Sequence, residues 1–133
     1  MAPELARKIL MSARTAVGWS SLLAPRLILR VFGVQGPIRA ELVYAMRLFG
    51  IRDVLLAYQL YQAQRHDAGP DELEEALRQG IAVDTIDTAS ALVGGAFGKL
   101  RGSTALMGAG FAALAAALGY LGREAPDAQG AIA

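Results

Sequence analysis

The stretch STALMGAGFAALAAALGYL, residues 103–121, carries no charge, and with its flanking glycines it gives 21 uncharged residues between Arg101 and Arg123. That length suits a helix crossing a hydrocarbon core of about 30 Å at about 1.5 Å per residue. Working back from it, turn signals divide the chain into three further apolar segments. Residues 3–24 read as a first helix, stopped by Pro25. Residues 38–62 read as a second, with Gly33 and Gly36 making the turn and Pro37 suited to its first position. Residues 70–98 read as a third, opened by Gly69-Pro70-Asp71-Glu72 and followed by a basic turn containing Lys99 and Arg101. Between the first two helices, residues 25–32 place Arg26 and Arg30 on one face and Leu27, Ile28, Val31 and Phe32 around the rest. Such a segment suits a membrane interface, with its arginines reaching toward headgroups.

The expected fold is therefore all-α, a four-span antiparallel transmembrane helical bundle with a short interfacial segment after helix one. It forms one domain over residues 1–122, and the polar residues 123–133 are expected to be a disordered tail. Composition agrees. Apolar residues are 54%, or about 62% when the 4 Tyr are exchanged for the 15 Gly, against the ~45–50% of a soluble domain. Charged residues are only 19%, against the usual ~25%. Small residues give helices three and four faces for close approach in lipid: Ala91, Gly94, Gly95 and Gly98 on one, Gly108, Ala112, Ala115, Ala116 and Gly119 on the other. Trp19, Tyr44, Tyr58, Tyr61 and Tyr120 fall near the predicted interfaces as an aromatic belt. Both termini are expected on one side, but basic residues divide five to five between the two sides, so charge does not orient the bundle.

Several function classes are disfavoured. A net charge of +1 supplies no basic field for nucleic acid. The chain has no cysteine, hence no disulfide or thiolate metal site, and its sole histidine, His66, sits in the polar hairpin as a solvated residue rather than a ligand. That histidine is also misplaced for a Ser, His and Asp catalytic set. Gly33-Val34-Gln35-Gly36 lacks both the strand and the spacing of a nucleotide loop. No metal, cofactor or secretory signal is expected.

What remains is a set of charges inside apolar helices: Arg14 on helix one, Arg47, Arg52 and Asp53 on helix two, and Asp84 and Asp87 on helix three. Charges in a bilayer interior are expensive unless paired, so three arginines against three aspartates predict a balanced network. By depth, Arg14, Arg52, Asp53 and Asp87 fall near the middle, with Arg47 displaced to one side and Asp84 to the other. Asp84 and Asp87, three apart, share a face and can aim at one neighbour. Arg47 and Arg52 point about 140° apart, given about 100° per residue, and serve one site only through long side-chain reach.

The motifs Gly18-Trp19, Leu23-Ala24-Pro25, Arg47-Leu48-Phe49-Gly50-Ile51-Arg52-Asp53 and Ala82-Val83-Asp84-Thr85-Ile86-Asp87 give the chain a resemblance over residues 6–121. It resembles a bacterial and fungal group of small, four-helix integral membrane proteins to which no activity is assigned. The resemblance implies the fold and a multi-pass membrane location, and rests on Arg47, Gly50, Arg52, Asp53, Asp84 and Asp87. Two functional readings follow from the residues. In the first, the chain is a non-enzymatic membrane protein, and Arg14, Arg47, Arg52, Asp53, Asp84 and Asp87 are a clasp holding the bundle. In the second, it is a membrane enzyme in which Arg52, Asp53, Asp84 and Asp87 do acid/base chemistry on a lipid or isoprenoid-like substrate. The partners expected are the lipid bilayer, a lipidic small-molecule ligand under the second reading, and further copies or a larger membrane complex.

Overall fold

A computed structural model describes residues 1–98 and 100–124. Over these residues the chain is all-α, with no strand: α1 (Pro3–Leu23), α2 (Pro25–Val31), α3 (Ala40–Gln62), α4 (Pro70–Ala96) and α5 (Gly102–Leu121). The disordered tail expected beyond residue 124, and Lys99 of the basic turn, lie outside the described residues.

Prolines and glycines set most of the boundaries. Pro3, Pro25 and Pro70 each occupy the start of a helix, where a missing backbone N–H costs nothing. Ala24, the residue before Pro25, is pushed out of the helical region to φ −132°, which separates α1 from α2. Gly98 takes a positive φ of 69° just past the end of α4, and the N–H of Leu100 donates back to the carbonyl of Gly94. Pro37 departs from expectation. It follows Gly36 at φ 76° and lies outside the helix, because the chain stays extended through Arg39 and α3 takes its first turn only at Ala40.

The four long helices pack as two close pairs, α1 on α3 and α4 on α5, joined mainly through α1 and α5. The α1/α3 crossing is a backbone contact. A Cβ placed on Gly50 would lie 2.6 Å from the carbonyl oxygen of Gly18, and one on Gly18 would lie 2.9 Å from that of Gly50. The α4/α5 pair meshes along its small residues, Gly95 against Ala105, Ala91 against Gly108 and Ile81 against Gly119, an antiparallel register. On α5 the buried face is Ala105, Ala109, Ala112, Ala115, Leu118 and Gly119. Leu10 of α1 reaches the same Gly119, and the Arg7 guanidinium donates to the carbonyl of Gly122 at 2.8 Å, satisfying an end carbonyl of α5.

The buried apolar core, Ala6, Leu10, Leu60, Leu77, Ala115 and Leu118, sits at the end of the bundle where α1 begins and α5 finishes. The middle level holds the charges, and the far end is covered by α2 and the turn after it. Each long helix also turns large apolar side chains outward, among them Ile9 and Leu23 on α1, Leu48 and Leu55 on α3, Ile86 and Leu92 on α4, and Leu106 and Leu114 on α5. Among the described residues α5 is the one helix both long and apolar enough to cross a membrane; α1, α3 and α4 are as long but carry charges.

The α1/α3 crossing yields a first prediction. Gly50→Ala forces a methyl group against a backbone that cannot step aside, and should cost about 1–3 kcal/mol in thermal or denaturant unfolding. Gly110→Ala, with nothing within 4 Å of its added carbon, should be neutral or slightly stabilising. Equal effects of the two substitutions would contradict the close crossing.

Candidate functional site

The charge cluster is built from the inner faces of α1, α3 and α4. Arg14 leaves α1 fully buried, its side chain 3% exposed, and its Nη2 donates to Oδ2 of Asp84, itself 6% exposed, at 2.5 Å. This reach needs Gly80, one turn before Asp84 on α4. A Cβ on Gly80 would lie 2.8 Å from both terminal nitrogens of Arg14, so the guanidinium lies where any side chain would be. The absent side chain is therefore part of the ion pair.

From α3, Arg52 makes the second link. Its two terminal nitrogens donate to the two oxygens of Asp87 at 3.0 and 2.6 Å, the paired geometry that suits arginine to carboxylates. The guanidinium also lies 4.8 Å above the centre of the Phe49 ring, a cation–π contact. This pair is only part-buried, with side chains 34% and 29% exposed. Asp84 and Asp87 thus share a face of α4 yet serve different neighbours, one toward α1 and the other toward α3.

Asp53 stands apart. Its side chain is 3% exposed, one oxygen lies 3.6 Å from Nη2 of Arg52, too far for a hydrogen bond, and Oδ2 finds no hydrogen-bond partner among the described residues. Asp53, Asp84 and Asp87 line a cavity of about 170 Å³, walled otherwise by Phe32, Phe49, Phe111, Ser90 and small residues of α4 and α5. Phe32 and Phe111 meet edge to face, with centroids 6.4 Å apart. A larger apolar groove of about 430 Å³ shares Phe32, Phe49, Ala91 and Gly108 with the cavity and runs toward Gln35 and Arg101 at the α2 end. There the Arg101 guanidinium donates to the Gln35 side chain.

Of the six charges singled out in the sequence, the structure brings five together and leaves Arg47 out. Arg47 is exposed and makes no ion pair among the described residues, as its 140° offset from Arg52 demands of a side chain that would have to reach around the helix. The cluster is consequently unbalanced, with two guanidinium groups facing three carboxylates. Sequence reasoning missed Gly80, Phe32 and Phe111. Gly80 alone carried a signal, since it lies four residues from Asp84 and so on the same face. His66 is exposed, and no group of acidic and histidine residues able to hold a metal ion occurs among the described residues.

Comparison of the chain with protein-family models, with curated proteins and with solved structures finds no match in any of the three.

The two ion pairs should differ in worth. Removing Arg14 strands Asp84 in the interior, and Arg14→Gln should cost about 3–5 kcal/mol, with part recovered in the Arg14→Gln/Asp84→Asn double variant. Arg52→Gln should cost less, because that pair is only part-buried. Arg47→Gln should change little. Unfolding midpoints in one detergent rank all four, and an Arg47 effect as large as that of Arg14 would contradict this placement.

Proposed function

We propose that the protein is a multi-pass integral membrane protein, with α1, α3, α4 and α5 as its four spans and α2 at one interface, and that it binds a lipidic small molecule at Asp53. Three observations support the spans. The outward faces of all four long helices carry large apolar side chains, which a soluble surface of this size would not expose so widely. Of the charges midway along α1, α3 and α4, Arg14, Asp53 and Asp84 are buried and Arg52 and Asp87 part-buried, and four of these five form two ion pairs, which lowers their cost in lipid. The motifs on α3 and α4 resemble those of the small four-helix membrane proteins described above.

The binding role rests on a single observation: Asp53, whose buried Oδ2 has no hydrogen-bond partner among the described residues, lines a cavity that borders an apolar groove. A clasp requires every carboxylate to be answered by an arginine, and two ion pairs already fasten α4 to α1 and α3. A third carboxylate left available adds cost without adding a link, which is the mark of a site kept for a ligand. A catalytic version of this reading uses the same residues. Asp53 would exchange a proton with the bound molecule while Arg52, 3.6 Å away, sets the local charge. It differs in that the molecule recovered from the protein would be chemically altered.

Photolabelling tests the binding role. A long-chain alcohol carrying a diazirine, incorporated into vesicles with the full-length protein, should label peptides around Phe49, Gly108 and Phe111 in preference to the outward faces of α3 and α5. Labelling confined to outward residues such as Leu55 and Leu114 would leave the cluster as a clasp alone and overturn the proposal.

A further inference from the structure

The cavity sets three carboxyl groups beside two guanidinium groups. Asp84 is answered by Arg14 and Asp87 by both terminal nitrogens of Arg52, and neither arginine is among the residues lining the cavity, whose charged groups are Asp53, Asp84 and Asp87. The surrounding walls are apolar or aromatic apart from Ser90. Two guanidinium groups against three carboxyl groups leave one carboxyl without a full counter-charge in a place where water cannot compensate it well. An anionic ligand would add to the deficit, and a neutral one would leave it standing.

From this imbalance we propose that the cavity receives the ammonium group of a long-chain amine, with the hydrocarbon chain lying in the adjoining apolar groove. The inference rests on the reading of the cavity as a lipid-binding site and specifies the ligand's charge. The ammonium supplies the missing positive charge and donates to Oδ2 of Asp53, the buried acceptor that has no partner among the described residues. Its remaining surface meets the rings of Phe32, Phe49 and Phe111, whose faces attract cations; the Phe49 ring already holds the Arg52 guanidinium. The volume of about 170 Å³ admits a compact head group, and the chain is accommodated by the groove of about 430 Å³. A divalent metal ion fits less well, since the described residues form no metal-holding cluster and two of the three carboxylates are engaged by arginines.

The test compares two diazirine probes of identical chain length, one a primary amine and one an alcohol, on the full-length protein in phosphatidylcholine nanodiscs at neutral pH. The amine should label the cavity peptides at a concentration lower by about tenfold or more, the scale of one hydrogen bond between charged groups. Asp53→Asn should raise the amine's half-labelling concentration to that of the alcohol and leave the alcohol's unchanged. Gly108→Ala, whose added carbon would sit at an ordinary 3.6 Å from Ala91, narrows the cavity from α5 and should weaken both probes. Equal labelling by amine and alcohol in the unsubstituted protein would overturn the proposal while sparing the cavity as a neutral lipid site. Labelling by neither would remove both. The comparison on the unsubstituted protein decides the matter even where Asp53→Asn fails to assemble.

Discussion

The guanidinium of Arg14 meets α4 end-on at Gly80, its two terminal nitrogens nearest, and ends on Asp84, and the interior of the bundle is arranged around that contact. It fixes the depth at which α1 meets α4, since a shift of one helical turn would bring the guanidinium against a side chain instead of a glycine. It also joins the two close helix pairs, α1 with α3 and α4 with α5, across an interior that has little apolar core outside one end. Two buried charges do not make a fold stable by themselves, because desolvation offsets much of their attraction. Their effect is on specificity: any other rotation or register strands both charges. The small-residue meshing of α4 with α5 and the Gly18/Gly50 crossing then act within limits the ion pair has set.

Once Arg14 and Arg52 are committed, Asp53 becomes the informative residue. It projects from α3 beside Arg52, yet it is buried more deeply and its nearer oxygen is 3.6 Å from the guanidinium. The same helix therefore carries a structural link and, one residue on, a group that holds nothing together. Adjacent helical residues diverge by about 100°, which is how Arg52 can face Asp87 while Asp53 faces the cavity. Framework and site share a level of the bundle without sharing side chains. Phe49 connects them, with Arg52 over its ring and the cavity at its edge.

The helices were legible because their boundaries are local. Pro25, Gly69-Pro70 and Gly98 act on the backbone at their own positions, and each ends or opens a helix within two residues of where the sequence places it. Pro37 shows the limit: proline is compatible with a helix start but does not require one. Arg14, Arg52, Asp53, Asp84 and Asp87 stood out because charge within an apolar helix is costly and rare. Their pairing was not legible, because it depends on which helices lie side by side. Arg47 entered the set as a charge within an apolar helix and as part of the α3 motif, whereas its direction from the helix excludes it. Phe32 and Phe111 gave no signal, being ordinary residues of apolar helices until α2 folds over the end of the bundle and brings them edge to edge.

The account turns on charges of this cluster lying inside a membrane with the two ends of the bundle in different compartments. The chain has no cysteine, so single cysteines can report sidedness without background. Gln35→Cys marks the turn between α2 and α3, and Asp67→Cys marks the turn between α3 and α4. In sealed vesicles of one orientation, a membrane-impermeant maleimide should label one of these positions from outside and the other only after the membrane is opened. Equal labelling of both positions in intact vesicles, or release of the protein from the membrane by alkaline carbonate, would contradict the account.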